Sequence, residues 1–197
     1  MTGEVLAAVS LPSYDNNLFS RDISQGEWDA LQADPYNPLF NRAISGIGYP
    51  TGSTIKPFVG LAALEEGIIS ENTKIYSPLE ICLKNPWSPD EKTCYEDWKY
   101  HGTSDIKRAI AESINTFFYQ IGGGYEGFKG LGPTKIKNWL AKFNWDSLTG
   151  IDLPKEGIGI LPNLDDEWTT GDTYHLSIGQ GPFSITPIQV ASAYVAI

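Results

Sequence analysis

The sequence has no apolar run approaching the roughly 20 residues that a membrane-spanning helix requires. Its start lacks the charged, apolar and small-residue segments of a signal peptide. Met1 is followed at once by Thr2-Gly3-Glu4 and then by the run Val5-Leu6-Ala7-Ala8-Val9. Met1 therefore reads as an expression start inside a larger protein, with a native cytosolic start as the plain alternative. Basic residues are few, 14 Lys and Arg against 24 Asp and Glu, for a formal net charge of -10. Phosphate backbones are bound by clustered Lys and Arg, so a nucleic-acid partner is excluded. Only two cysteines occur, Cys82 and Cys94. They permit one disulfide and do not establish an oxidising compartment. There is no internal repeat, linker or low-complexity tract.

What is present describes a folded domain. Hydrophobic residues make up 41% and include six Trp, eight Phe and ten Tyr, enough for a core in a chain of 197 residues. Twenty Gly and 13 Pro predict long ordered loops. Residues 4–10 read as a strand, closed by the turn-formers of Leu11-Pro12-Ser13-Tyr14-Asp15-Asn16-Asn17. A loop over 18–50 carries a short helix near Gln25–Gln32. Apolar residues at Ile55, Phe58, Val59, Leu61, Ala62 and Leu64 predict a helix over 54–69. Pro57 fits only its first turn, which puts Ser53 at the helix start. Residues 71–104 are irregular or hairpin-like. A helix from about Ser104 ends near Ser113-Ile114-Asn115, and another over 116–121 is stopped by Gly122-Gly123-Gly124. An amphipathic helix spans 134–143, a loop fills 149–172, and a last helix covers 186–197.

Two short motifs carry chemistry. In Ser53-Thr54-Ile55-Lys56, positions i and i+3 share a helix face. A serine alcohol is a weak nucleophile until a base takes its proton. A lysine one turn away can do so if desolvation and neighbouring positive charge hold it neutral. By itself this spacing equally describes an N-cap serine and a solvated lysine. In Ser113-Ile114-Asn115, a hydroxyl and an amide can enter one cleft, or simply form a polar stop between two helices.

Taken together, Ser-x-x-Lys followed by Ser-x-Asn resembles the signature of penicillin-binding proteins and class A β-lactamases. The surrounding sequence resembles the transpeptidase domain of class B penicillin-binding proteins, elongation-type, of the penicillin-binding protein 2 group. The resemblance rests on Gly3–Ser10 with Pro12-Ser13-Tyr14-Asp15, Asn41-Arg42-Ala43, and Tyr49-Pro50-Thr51-Gly52 before the nucleophile motif. It continues through Thr116-Phe117-Phe118-Tyr119, Thr149-Gly150-Ile151-Asp152-Leu153-Pro154, Ile178-Gly179-Gln180-Gly181 and Thr186-Pro187 with Gln189.

The resemblance implies an α+β, serine β-lactamase-like fold: a helical subdomain with an incomplete antiparallel sheet, residues 1–197 forming a partial transpeptidase domain. It implies Ser53 as nucleophile, Lys56 as base, Ser113 as proton relay and Asn115 as substrate-orienting residue. The Ser53 N–H becomes an oxyanion donor, and Gly179, Gln180 and Gly181 are substrate-binding. It implies D,D-transpeptidation of peptidoglycan stem peptides through an acyl-enzyme, β-lactam binding at the same serine, and no metal or organic cofactor. It also implies an integral-membrane glycan polymerase as partner, and a place at the cell membrane facing the periplasm or the outside. A D,D-carboxypeptidase, a serine β-lactamase, a non-catalytic penicillin sensor and an inert fragment are the competing readings.

One departure stands out. No Lys-Thr-Gly occurs in the chain, so the third motif of the family is expected beyond a truncation. An exposed apolar face and self-association are expected with it. Ile114, where many relatives have Asp, is expected to face away from the cleft. Cys82 and Cys94 stay open among a disulfide, free thiols and a zinc site with His101 and Asp90 or Asp97. The aromatics Trp87, Tyr95, Trp98 and Tyr100 read as local packing.

Overall fold

The structure, a computed structural model, describes residues 3–85, 88–165 and 167–197, with the backbone alone at Asn85, Pro89 and Asp90. Met1, Trp87 and the Asp90 side chain, all named above, lie outside the described residues.

The amino-terminal residues 4–10 form no strand. A strand exists only where a neighbour supplies its ladder, and among the described residues no ladder includes residues 5–10. Leu6 is 94% exposed. Residues 3–9 border an apolar groove of about 840 Å³, shared with Ile44, Ile151, Ile188 and Val195. A 3-10 turn (Asn16–Phe19) and helix α1 (Gln25–Ala33) follow, the latter started by a capping box of Ser24 and Glu27.

A second 3-10 turn (Gly52–Ile55) runs directly into α2 (Lys56–Glu65), with Pro57 in the first turn. The helix stops earlier than the apolar pattern suggested. Gly67 adopts φ +66°, and the N–H groups of Ile68 and Ile69 turn back to the Ala63 carbonyl. Between 75 and 104 lie two nested antiparallel pairs. The outer pair is β1 (Ile75–Ser77) with β4 (Gly102–Ser104), and the inner is β2 (Glu80–Asn85) with β3 (Ser88–Glu96). Register sets Cys82 opposite Cys94, and their sulfurs are bonded at 2.06 Å. Thiolates are what a metal takes from cysteine, so this pair leaves no sulfur for the zinc alternative.

The remaining helices are α3 (Ile106–Ala111), α4 (Asn115–Gly123), α5 (Pro133–Lys142), α6 (Thr170–Ser177) and α7 (Pro187–Val195). Every residue of α4 from Thr116 to Gly122 is buried, as expected of an apolar helix at the centre of others. Gly122 lies against Ser177 and Gly123 against Tyr174, so α6 approaches closely enough that neither position has room for a side chain. Helix α6 falls partly within the predicted loop. Its Thr, Gly, Asp and His are weak helix formers without an apolar stripe. A Thr169–Asp172 capping box and the burial of Tyr174 and Leu176 form it instead.

Phe58 on α2 joins the lower half of the core. It packs edge-on against Phe143, Trp145 and Tyr194, with ring centroids 4.8, 5.1 and 5.0 Å away. Of the predicted packing aromatics, Tyr95 contacts Tyr119, Tyr174 and His175, and the exposed Trp98 and Tyr100 pack locally on His101 and Tyr76.

Phe58→Ala is expected to lower unfolding stability by about 3–5 kcal/mol, checked by denaturant melts. The uncovered apolar run at 4–10 predicts self-association of the chain that grows with concentration. Light scattering checks this, and a concentration-independent monomer with a sharp melt contradicts it.

Candidate active site

Lys56 is the least ordinary residue of the core. Its side chain is 1% exposed, and burying an ammonium costs several kcal/mol unless acceptors replace water. Three do. Nζ donates to the Ser113 carbonyl at 2.8 Å, to Ser113 Oγ at 2.9 Å and to Asn115 Oδ1 at 2.7 Å. The Phe118 ring lies 5.5 Å from the charge. Ser113 Oγ in turn donates to Ser53 Oγ at 2.8 Å. Ser53, Ser113 and Lys56 thus form one continuous hydrogen-bonded chain, with the Ser53 residue at the solvent end.

Burial pushes the Lys56 ammonium down to about 8. The charged neighbour acts in the opposite direction from that expected: Asp97, a carboxylate, pulls the value back up. Desolvation alone does the lowering, and no neighbouring cation contributes to it.

The geometry of Ser113 follows from how α3 ends. The Ser113 N–H bonds the Ile110 carbonyl at 3.2 Å and the Ile114 N–H bonds that of Ala109 at 3.0 Å, a Schellman closure with Ser113 at its left-handed position. Ser113 has φ +53°, where glycine is the usual residue and a serine carries strain of about 1 kcal/mol or more. That turn reverses the chain, aims the Ser113 carbonyl and hydroxyl at Lys56, and delivers Asn115 to the same nitrogen. Ile114 points the other way and is fully buried in the core.

Ser53 is held by the carboxyl-terminal part of the chain. Gly52 donates its N–H to the Gly179 carbonyl at 2.9 Å, and Tyr49 and Ile185 exchange two backbone bonds at 2.9 Å. The Tyr194 hydroxyl donates to the Thr54 carbonyl at 2.9 Å. Gly179, at φ +81°, is pressed so closely on Gly52 that a Cβ would overlap its carbonyl. Gln180 and Gly181 continue this segment on the surface, and among the described residues neither hydrogen-bonds the Ser53–Lys56 group. The structure therefore brings together Ser53, Lys56, Ser113 and Asn115, and sets Gly179 against the Gly52 turn that precedes Ser53.

Two contributors escaped the motifs. Tyr194 lies 140 residues from Thr54 in sequence, and no local pattern signals that contact. Asp97 was considered only as a metal ligand. It is buried beside His101, whose Nε2 lies 3.5 Å from Asp97 Oδ1.

The site is thus a serine turn at the start of a core helix, facing a strained Ser-x-Asn turn. The chain belongs to the family described as "Penicillin binding protein transpeptidase domain", which matches residues 1–197. Among curated relatives, it is similar to Peptidoglycan D,D-transpeptidase MrdA of Escherichia coli (strain K12), at 40% identity over 100% of this chain and 30% of that protein. MrdA of Haemophilus influenzae is 39% identical over 96% of this chain and 29% of that protein. The chain spans about 30% of the length of these relatives. The fold is also that of Pseudomonas aeruginosa PBP2 in complex with WCK 5153, with a TM-score of 0.82 and 33% identity, covering 98% of this chain and 43% of that one. Helicobacter pylori PBP2, in its complex with MreC, gives 0.80 and 39% identity over 95% of this chain and 34% of that one.

Gly179→Ala is expected to shift the Gly52 turn and lower stability by about 1–3 kcal/mol, from the left-handed backbone and the lost space together. A melt of the variant checks the loss, and backbone amide shifts at 51–54 check where it acts.

Proposed function

We propose that the chain carries the acylation machinery of a serine-type D,D-transpeptidase acting on peptidoglycan stem peptides. The observation that supports this most directly is the chain of hydrogen bonds from Ser53 Oγ through Ser113 Oγ to a buried Lys56 Nζ. In the charged state the lysine donates to Ser113 and Ser113 donates to Ser53. With Nζ neutral, both bonds reverse. Ser53 then gives its proton to Ser113 as Ser113 gives its own to the amine, and the Ser53 oxygen attacks. A lysine near 8 is neutral in roughly a tenth of molecules at pH 7, which keeps the base available without weakening it greatly.

Attack forms the bond between Ser53 Oγ and the carbonyl carbon of the penultimate D-alanine. The backbone N–H of Ser53 supports the developing oxyanion. The amide C–N bond breaks, and terminal D-alanine leaves with a proton returned from Lys56 by way of Ser113. An acceptor amine of a second stem peptide then attacks the ester and gives up a proton by the reverse path, which releases Ser53. Asn115 bonds Lys56 in the resting site and orients the stem-peptide amide when substrate is present, with Gly179–Gly181 bordering it. A β-lactam acylates Ser53 by the same route, its ring amide taking the place of the scissile bond.

Among the described residues no helix is long and apolar enough to cross a membrane. The proposed location, on the outer side of the cytoplasmic membrane in association with an integral-membrane glycan polymerase, is supported by the likeness to relatives more than three times as long. One similar structure is described as structural coordination of polymerization and crosslinking by a peptidoglycan synthase complex.

Incubation with penicillin is expected to add one penicillin mass, absent from Ser53→Ala and read by intact-mass spectrometry. An adduct that persists in Ser53→Ala, or none on either protein, contradicts the proposal. The acylation rate is expected to rise with pH to a midpoint near 8 as Lys56 loses its proton. The same shift has a stability sign. The folded ammonium is penalised in full below about 8, and the penalty is relieved as pH rises from there toward the 10.5 of an unfolded lysine.

A further inference from the structure

The least explained buried group near the site is Asp97, at the end of the inner hairpin. Its Oδ2 accepts the backbone N–H of Thr116 at 2.8 Å and the Thr116 hydroxyl at 3.0 Å. Its Oδ1 accepts the Trp98 N–H at 2.9 Å and faces His101 Nε2. Helix α4 needs this. The residue at its own N-cap is Ile114, which has no side chain able to take an orphan N–H of the first turn. A carboxylate from a distant segment takes it instead, at the end of the helix where negative charge is favoured. The capped residue directly follows Asn115 and lies three residues from Ser113, the two residues that together supply every acceptor of Lys56 Nζ named above.

We propose that Asp97 is a positioning residue for the Ser53–Ser113–Lys56 chain: by capping α4 from outside, it fixes the Ser113–Asn115 turn and so the place where Lys56 is held. This rests on the acylation reading given above. It assigns the connection between β3 and β4 a part in the chemistry although none of its side chains reaches Ser53 among the described residues.

A cap that is only structural would stabilise the helix and leave the lysine unaffected. Asp97 acts on the lysine as well, because its carboxylate is the charge that favours the ammonium. Facing Lys56 are the uncharged Ser113 and Asn115 and the ring of Phe118. Facing Asp97 is His101, whose Nδ1 is 3.0 Å from Glu112, itself paired with Arg108 at 2.7 Å and Lys99 at 3.4 Å. Loss of charge at 97 therefore removes the charge that favours the Lys56 ammonium.

The test uses the full chain with labelled lysine side chains, the Lys56 signal being assigned through Lys56→Met. Its titration midpoint is followed by NMR in wild type, Asp97→Asn and Asp97→Ala, and penicillin acylation is measured against pH for each. Asp97→Asn keeps an oxygen for the Thr116 N–H and loses the charge, so the Lys56 midpoint and the acid limb of the rate are expected to move to lower pH. Asp97→Ala also loses the cap. Its rate above pH 9, where the lysine is largely neutral, is expected to fall on the order of 10- to 100-fold.

Variants that melt earlier but keep the wild-type Lys56 midpoint and high-pH rate overturn the proposal. If Asp97→Ala does not fold, Thr116→Val takes its place, removing the hydroxyl clamp while keeping the charge. A slower high-pH rate with an unmoved Lys56 midpoint supports the proposal, and an unchanged rate overturns it. Should wild type not acylate at all, the proposed function fails, and the Lys56 midpoint in Asp97→Asn alone decides this inference.

Discussion

A single buried ammonium organises this molecule. Lys56 can stay inside only if something replaces the water it lost, and the replacements come from a segment 57 and 59 residues further along. Meeting that demand fixes the orientation of α2 against the end of α3 and the start of α4. It also carries the Ser113 hydroxyl to Ser53. The Ser53–Ser113–Lys56 chain and the satisfaction of a buried charge are therefore one set of contacts. Removing any acceptor leaves a partly unpaired cation in the core and disturbs that chain with it.

A second demand of the same kind holds the other end of the fold. Gln189 is fully buried, and its amide nitrogen donates to the carbonyls of Asn144, Ser147 and Ile158 at 3.2, 2.8 and 2.8 Å. Its oxygen accepts the Thr186 N–H and hydroxyl, both at 3.0 Å. One side chain thus fastens two loops that have no regular structure of their own to the start of α7. Tyr194 extends from that same helix to the nucleophile turn. The carboxyl-terminal third of the chain in this way bears on a serine near its first quarter.

Much of this was legible before any coordinates. The spacing of Ser53 and Lys56, Pro57 in the first turn and the pair Ser113 and Asn115 are local signals, and the structure brings Ser53, Lys56, Ser113 and Asn115 into one group. Helix α1 opens on a signal of the same local kind, Ser24 and Glu27 within four residues. The capping box of α6, Thr169 and Asp172, is as local, but the helix it opens has no apolar stripe to accompany it. Residues 4–10 show the opposite case. Their composition describes an extended chain but says nothing of a partner. The sign of the charge beside Lys56 was unreadable in principle. Asp97 reaches the site only because a hairpin with paired ends returns it to α4, and such long-range closure leaves no periodicity.

The left-handed backbone at Ser113 has a consequence for how this position can vary. Serine is tolerated there at a cost, and nearly every other side chain would bear the same cost without the hydroxyl that Lys56 and Ser53 use. Glycine alone would sit there relaxed, and glycine is chemically silent. A relaxed backbone at residue 113 and a hydroxyl placed between Lys56 and Ser53 are therefore demands that no single residue meets without cost.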